Sequence, residues 1–126
     1  MLPPPFGVTV DLGCGEGRTG RELPGLGHRV VGIDHAPTLV HAAVTAAPPV
    51  PVVMADAAAL PFGEASVGLV VSCMSLHDID DFTGAIREVG RVLRRDGQLC
   101  IAIVHPFVTA QDDDTLHTKA FRVSRP

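Results

Sequence analysis

The chain contains no tryptophan and no tyrosine, and its only aromatic residues are five phenylalanines. An aromatic cage for a cationic ligand could therefore be built from phenylalanine alone. Cysteine is also scarce, since the chain has only Cys14, Cys73 and Cys100. Their odd number and wide spacing predict neither a disulfide framework nor a metal site. We interpret them as small, buried hydrophobic residues in a reducing compartment.

An excess of positive charge and long apolar runs are missing as well. The 126 residues carry 10 Lys and Arg against 14 Asp and Glu, a net charge of −4, which argues against a nucleic-acid partner. No apolar run approaches the ~20 residues that a membrane span requires, and the start at Met1–Pro5 lacks the charge of a signal peptide. We therefore expect a cytoplasmic protein that forms a single domain over residues 1–126.

The most informative segment is a predicted strand, Val8–Leu12, that runs into glycines at every second position, Gly13, Gly15 and Gly17. Such glycines allow a tight turn that exposes backbone N–H groups at a helix start, where a nucleotide-like ligand can bind. A dinucleotide-binding loop needs a small residue where this chain has Arg18. An NAD-dependent oxidoreductase is therefore disfavoured, and a simple glycine turn remains the alternative.

Acidic residues stand at the ends of the first two predicted strands. Asp11 would repel a pyrophosphate but suits a ligand that carries an amino group and a sulfonium. Asp34 ends the second strand, 17 residues after Gly17, where a βαβ unit places a carboxylate that can accept both ribose hydroxyls. The alternative role for Asp34 is to cap the helix that starts near Pro37.

Four segments in this order resemble the class I S-adenosylmethionine (SAM)-dependent methyltransferases, in the branch similar to ubiquinone and menaquinone methylases. Residues 11–17 resemble motif I, residues 50–62 contain the family's Asp-Ala-x-x-Leu-Pro-Phe segment, and residues 67–81 are similar to motif IV. Residues 87–104 resemble the helix and strand that follow. The resemblance covers roughly residues 7 to 107.

The resemblance implies a cofactor site for SAM, with S-adenosylhomocysteine as product. Asp56 would accept from the adenine amine, Ala57 would face the ring, and Leu60 and Phe62 either wall the adenine or pack on the core. The predicted cofactor residues are Asp11, Gly13, Cys14, Gly15, Gly17, Asp34, His35, Asp56, Ala57, Cys73 and Met74.

A general base is needed only if the methyl acceptor must lose a proton. His77 and His105 are the candidates, because both follow strand ends and histidine titrates near neutral pH. A structural role is the alternative for each. We expect transfer of the methyl group to a small, fairly apolar molecule. A SAM-binding or interaction module without turnover is the second hypothesis.

The implied fold is α/β, a Rossmann-like doubly wound sheet that is mainly parallel, with about five core strands and a shortened C-terminal region. A helix capped by Asp81 or Thr83 should reach Arg95 before the fifth strand at Gln98–Val104. The arginines of this helix, Arg87, Arg91, Arg94 and Arg95, are interpreted as its solvated face. The edge of the fifth strand needs a cover, either a tail strand near Lys119–Arg125 or a second subunit.

Overall fold

A computed structural model of the chain describes residues 2–104 and 118–124. Within these residues one sheet has the strand order β3-β2-β1-β4-β5-β6. The strands are β1 (Val8–Leu12), β2 (Arg29–Asp34), β3 (Val52–Met54), β4 (Val67–Cys73), β5 (Leu93–Val104) and β6 (Thr118–Ser124). The helices are α1 (Arg18–Glu22), α2 (Pro37–Thr45) and α3 (Phe82–Val92), with short 3-10 turns at Leu23–Leu26 and Leu76–Asp78.

The strands β1 to β5 run parallel, and the strand order reverses at β1. This arrangement confirms the predicted α/β, Rossmann-like sheet. Because the chain moves outward first to β3 and then to β5, a crevice opens where the carboxyl ends of β1 and β4 diverge. Open sheets of this kind bind their ligands at that point.

Both faces of the central strands β1 and β4 are buried, as is usual in parallel sheets, whereas Val53 and Met54 of the edge strand β3 are exposed. On one face Val10, Leu12 and Val70 pack against Val89 and Val92 of α3. On the other face Leu69 and Val71 pack with Leu23. The continuous apolar run of β4 follows from its central position, because neighbouring strands and both layers exclude water from it.

The boundary between α3 and β5 differs from the prediction. The helix ends at Val92, and β5 begins at Leu93, which pairs with Val67 before the register jumps to Gln98. Leu93 is 4% exposed. Burial of this side chain in the sheet therefore outweighs the helical spacing that predicted a helix through Arg95. The predicted cap is confirmed, since Asp81 Oδ1 accepts from the Gly84 N–H at 2.8 Å.

The free edge of β5 is covered by the chain itself. β6 pairs antiparallel with β5 from Gln98 opposite Ser124 to Val104 opposite Thr118. This confirms the predicted tail strand, shifted by one residue from its predicted bounds. A second subunit, the other candidate, is not needed at this edge.

Candidate functional site

Two adjoining clefts lie at the carboxyl edge of the sheet. The first, which we call the glycine-loop cleft, has a volume of about 240 Å³ and is lined in part by Gly13, Gly15, Asp34, Cys73, Met74 and Ser75. The second, the acidic cleft, has a volume of about 160 Å³ and is lined in part by Asp56, Ala57, Asp80 and Asp81. Both clefts share His35, Asp78 and Ile79. One elongated ligand could therefore occupy both.

The glycine loop adopts a backbone that L side chains rarely tolerate. Gly13 has φ +69° and Gly15 has φ +54°. A Cβ on Gly13 would collide with Ser75 Cβ and lie 2.7 Å from Ser75 Oγ, whereas a Cβ on Gly15 would meet nothing within 4 Å. Gly13 is thus required by close packing against the β4 loop, and Gly15 leaves open space beside the cleft.

Four N–H groups of this loop are used within the protein, contrary to the expectation that they face a ligand. Gly13 and Cys14 both donate to the Ile33 carbonyl oxygen, at 2.8 and 3.0 Å, and Gly17 donates to the Cys14 oxygen at 2.9 Å. Gly15 donates to Asp34 Oδ2 at 2.8 Å. A phosphate cradle needs such donors unpaired. The loop instead offers a bare backbone for close approach.

Asp34 connects the glycine loop with the start of α2. Its Oδ2 accepts from Gly15, and its Oδ1 accepts from the Ala36 N–H at 2.9 Å. Asp34 is buried, yet it lines the glycine-loop cleft. The carboxylate is therefore oriented by two backbone donors, and its remaining lone pairs are available to a ligand. The alternative role of Asp34 as the cap of α2 is wrong, because Ala36 occupies the N-cap position and no side chain caps the helix.

Asp56 lies on the loop that follows β3. Its Oδ1 accepts from the Ala58 N–H at 2.8 Å, and its carbonyl oxygen accepts from the Ala59 N–H at 3.0 Å. This turn holds the carboxylate at the wall of the acidic cleft, where Ala57 also lies. Asp56 and Ala57, which were predicted to bind adenine, therefore follow β3, the strand next to the one that ends at Asp34.

The end of β4 supplies the opposite wall. Met74 has φ +60°, and its N–H donates to the Ala102 oxygen at 2.8 Å. Ser75 Oγ donates to the Leu12 carbonyl oxygen at 2.7 Å and lies 2.7 Å from Ser72 Oγ. These bonds hold the ends of β1 and β4 together. Cys73 is exposed at the cleft, which corrects its interpretation as a buried residue.

Asp11 is buried behind the glycine loop and does not appear among the residues that line either cleft. Its Oδ2 has no hydrogen-bond partner among the described residues. Burial is the main cause that raises the pKa of Asp11 to about 6; a backbone hydrogen bond from Gly20 opposes this rise, and the charge of Asp34 adds to it. A buried carboxylate in this state is stabilised by any positive charge that approaches it.

The raised pKa of Asp11 gives a prediction for stability against pH. The folded state binds a proton more tightly than the unfolded state, whose pKa is near 3.8. Stability is therefore lost as the pH rises from about 4 to about 6, and the loss is complete above pH 6. At pH 8 we expect the free energy of unfolding of Asp11→Asn to exceed that of the wild type by up to about 3 kcal/mol. The difference should shrink as the pH is lowered from about 6 to about 4 and be small below pH 4. Denaturant titrations followed by circular dichroism measure it, and a difference independent of pH would contradict this origin.

Two other predicted cofactor residues are also packed behind the clefts. Cys14 is buried, and burial, then Asp11 and then Asp34, raises the pKa of its thiol to about 12. The thiol therefore stays protonated near neutral pH. A Cβ on Gly17 would lie 2.8 Å from Val50 Cγ2, so this glycine allows close packing rather than ligand approach.

The two candidate bases differ in what can be described. His77 lies on the 3-10 turn after β4, with its side chain 51% exposed and Nε2 3.5 Å from Asp78 Oδ2. It does not appear in the lining of the clefts, whereas Asp78 lines both. Sequence reasoning did not single out Asp78 or Ile79, because no local pattern shows how the turn after β4 is oriented. His105 lies outside the described residues.

Leu60 and Phe62 pack on the core, and neither lines the clefts. Of the two roles considered for them, packing fits the geometry. A larger cavity of about 530 Å³ lies at the amino ends of the strands, between Val8, Pro24 and Arg29. That end of a parallel sheet is not where open α/β folds bind ligands, so we do not place the site there.

The residues of the two clefts fit SAM, the cofactor that the motifs imply. No lysine or arginine lines either cleft in the described part of the chain, whereas five aspartates do: Asp34, Asp56, Asp78, Asp80 and Asp81. This charge suits a sulfonium and an ammonium group and repels a pyrophosphate. The open space at Gly15 and the oriented carboxylate of Asp34 would accommodate a ribose.

Across residues 2–104 and 118–124, no helix is long and apolar enough to cross a membrane.

Comparison with known proteins adds independent support. A family model described as a methyltransferase domain matches residues 10–101. The mitochondrial arginine-hydroxylase NDUFAF5 of Danio rerio is 34% identical over 100 residues, which cover 79% of this chain and 31% of that protein. A probable SAM-dependent methyltransferase of Mycobacterium tuberculosis is 30% identical over 106 residues, 84% of this chain and 39% of the relative. The chain therefore spans about a third of the length of these relatives.

Solved structures show the same architecture. The SAM-dependent methyltransferase of Mesorhizobium loti superposes with a TM-score of 0.70 at 28% identity, covering 83% of this chain and 50% of that one.

Proposed function

The chain belongs to the methyltransferase domain family of the class I SAM-dependent methyltransferases, and we propose that it holds SAM for transfer of its methyl group to a small molecule. The family's cofactor is SAM. The observation that carries the proposal is the pair of clefts that share one sheet edge, where Asp34 and Asp56 lie beside a glycine loop with four N–H groups already paired.

When bound, SAM supplies a methyl group that its sulfonium already activates. The chain's own residues then mainly bind and orient. Asp34 would accept from the ribose hydroxyls, Asp56 would accept from the adenine amine, and Gly13 and Gly15 would let the backbone approach the ligand closely. Cys73 and Met74 would border the amino-acid end. Alignment of donor and acceptor accounts for much of the rate that such a site can provide.

The apolar surface beside the cleft supports a small and fairly apolar acceptor. Leu39 and Met74 line the glycine-loop cleft and are 42% and 37% exposed. Exposed apolar side chains at a cleft are stabilised when a ligand covers them. The acidic side chains beside them would also tolerate an amine on the acceptor.

Proton removal remains the proposed role of His77 and His105. The position of His77 supports this role, because its exposed side chain lies next to Asp78, with Nε2 3.5 Å from Asp78 Oδ2, and Asp78 lines both clefts. A methyl acceptor that is already nucleophilic would need neither histidine.

A second candidate is SAM binding without methyl transfer. The similarity to NDUFAF5, which is named an arginine hydroxylase, supports it, because that name describes an activity other than methyl transfer. Under this candidate the same cleft would bind SAM, and an acceptor screen would yield no methylated product.

Calorimetric titration of the purified protein with SAM, S-adenosylhomocysteine and NAD tests the cofactor site. The absence of tryptophan excludes the usual fluorescence readout. We expect micromolar binding of the first two ligands and none of NAD. Binding of NAD, or of none of the three, would contradict the proposal. An acceptor screen with methyl-labelled SAM then separates the two candidates.

Asp56→Asn is expected to reverse the preference of the site for S-adenosylhomocysteine over S-inosylhomocysteine. In the wild type one carboxylate oxygen of Asp56 accepts from the Ala58 N–H, and the other would accept from the adenine amine. In Asp56→Asn the amide oxygen can still accept from Ala58, so the NH₂ group would face the adenine amine, and two donors would then meet. S-adenosylhomocysteine should then bind at least about fivefold more weakly, the equivalent of one hydrogen bond. S-inosylhomocysteine carries a carbonyl in place of the amine, so it should bind more tightly to Asp56→Asn than to the wild type. Calorimetry with both ligands measures the ratio, and parallel losses for both would contradict the assignment.

A further inference from the structure

One polar face of α3 lies against the loop that carries Asp56. Gly84, Glu88 and Arg91 follow one another at helical spacing and therefore share a face. Opposite them lies the stretch from Ala58 to Phe62. A Cβ on Gly84 would lie 3.0 Å from Ala58 Cβ, so the loop and the helix approach closely there.

Glu88 and Arg91 bind the backbone of this loop directly. Glu88 Oε2 accepts from the Leu60 N–H at 2.8 Å. Arg91 Nη2 donates to the Leu60 carbonyl oxygen at 3.0 Å, and Arg91 Nη1 donates to the Phe62 carbonyl oxygen at 2.9 Å. These contacts join residues about thirty positions apart in the chain. They correct the interpretation of Arg91 as part of a solvated face.

The two side chains also hold each other. Arg91 Nε donates to Glu88 Oε1 at 2.7 Å, and Arg91 Nη2 donates to Glu88 Oε2 at 2.8 Å. The Arg91 hydrogen bond is the main cause that lowers the pKa of Glu88. A planar guanidinium can serve both carboxylate oxygens and two carbonyls at once, which an ammonium group cannot.

The loop between β3 and this clamp contains Asp56 and Ala57. At one end the Ala55 N–H donates to the Asp34 carbonyl oxygen at 3.0 Å. At the other end Glu88 and Arg91 hold Leu60 and Phe62. Asp56 itself is fixed through the N–H of Ala58, two residues before the clamped Leu60. Its position therefore depends on both anchors.

We propose that Glu88 and Arg91 are positioning residues that set the adenine specificity of the cofactor site by fixing the loop of Asp56. The inference rests on the proposed function. Its basis is the five hydrogen bonds that join the pair to each other and to the loop.

The pair is not what attaches α3 to the sheet. That attachment comes from Ala85, Val89 and Val92, which are 0–2% exposed on the apolar side of the helix. The side chains of Glu88 and Arg91 are 17% and 38% exposed. A change at the pair should therefore loosen the loop while the helix stays packed.

Arg91→Lys tests the proposal with two ligands, S-adenosylhomocysteine and S-inosylhomocysteine, titrated by calorimetry. The wild type should prefer adenine at least about fivefold, through the hydrogen bond to Asp56. In Arg91→Lys the affinity for S-adenosylhomocysteine should fall about fivefold, whereas that for S-inosylhomocysteine should change less than about twofold. A merely structural role would lower both affinities equally and leave the ratio unchanged.

Arg87→Lys is the matched control, because Arg87 is an exposed arginine of the same helix, and it should retain the wild-type ratio. Glu88→Gln is a second variant that keeps an oxygen for the Leu60 N–H, and it should lower the ratio as Arg91→Lys does. Amide exchange of Leu60 without ligand should be faster in both clamp variants than in the control. A preserved ratio in both clamp variants overturns this inference alone. A wild type that binds neither ligand overturns the proposed function and this inference with it.

Discussion

Asp34→Ala is expected to lower the affinity for S-adenosylhomocysteine about a hundredfold. Two hydrogen bonds from ribose hydroxyls to a carboxylate account for about 3 kcal/mol. The change also leaves the N–H groups of Gly15 and Ala36 without their acceptor. The glycine loop would then lose its bond to the end of β2. Calorimetry measures the affinity, and thermal unfolding measures the accompanying loss of stability.

Asp34→Asn separates the charge of this side chain from its shape. The amide oxygen of the new side chain can still accept from one of the two backbone N–H groups, of Gly15 or Ala36. Its NH₂ group then faces the other N–H, and two donors meet. Its affinity should lie between those of the wild type and Asp34→Ala. Asp96→Asn is the matched control, because Asp96 is exposed and lies away from both clefts. Unchanged binding in Asp34→Ala would sink the assigned site.

Gly13→Ala is expected to abolish binding and to lower the free energy of unfolding by about 3 kcal/mol. The positive φ of Gly13 costs alanine about 1 kcal/mol, and overpacking costs about 1–3 kcal/mol more. The added Cβ would meet Ser75, whose Oγ holds the Leu12 carbonyl oxygen. Relief of the collision would shift the turn after β4 and with it the wall of the cleft. Denaturant unfolding and calorimetry on one preparation measure both effects.

Gly15→Ala is the control, because Gly15 shares the left-handed backbone but has open space beside it. Its unfolding free energy should fall by only about 1 kcal/mol. Any loss of binding in this variant then comes from a methyl group that projects toward the cleft. Equal losses of stability in the two variants would mean that Ser75 does not crowd position 13.

The sequence predicted the strands best where burial is complete. The apolar runs of β1 and β4 and the helical spacing of α3 are local patterns, and each appears within a few residues of its predicted bounds. The end of α3 was wrong because Leu93 has helical spacing and also fits a strand. The sheet partner Val67 decides between them, and no local pattern contains that information.

For the site, strand-end acids were a partial signal, because Asp34 and Asp56 line the clefts whereas Asp11 does not. Carboxyl ends of parallel strands meet at one edge, so the positions of Asp34 and Asp56 followed from the order of the elements. The surroundings of Asp78 and Arg91 could not be predicted in this way. The surroundings of Asp78 depend on the turn that begins at Met74, whose φ is positive. Those of Arg91 depend on a loop that folds back along α3.

The sequence by itself determined the family, the order of strands and helices, and the acids and glycines that follow the strands. Tertiary structure alone decided which polar groups remain available. It paired Gly15 with Asp34 across 19 positions, Leu60 with Arg91 across 31 and Leu12 with Ser75 across 63. It also left Asp11 Oδ2 buried without a partner among the described residues. Periodicity is local and can be read along the chain, whereas a hydrogen bond between distant residues exists only once the sheet has brought them together.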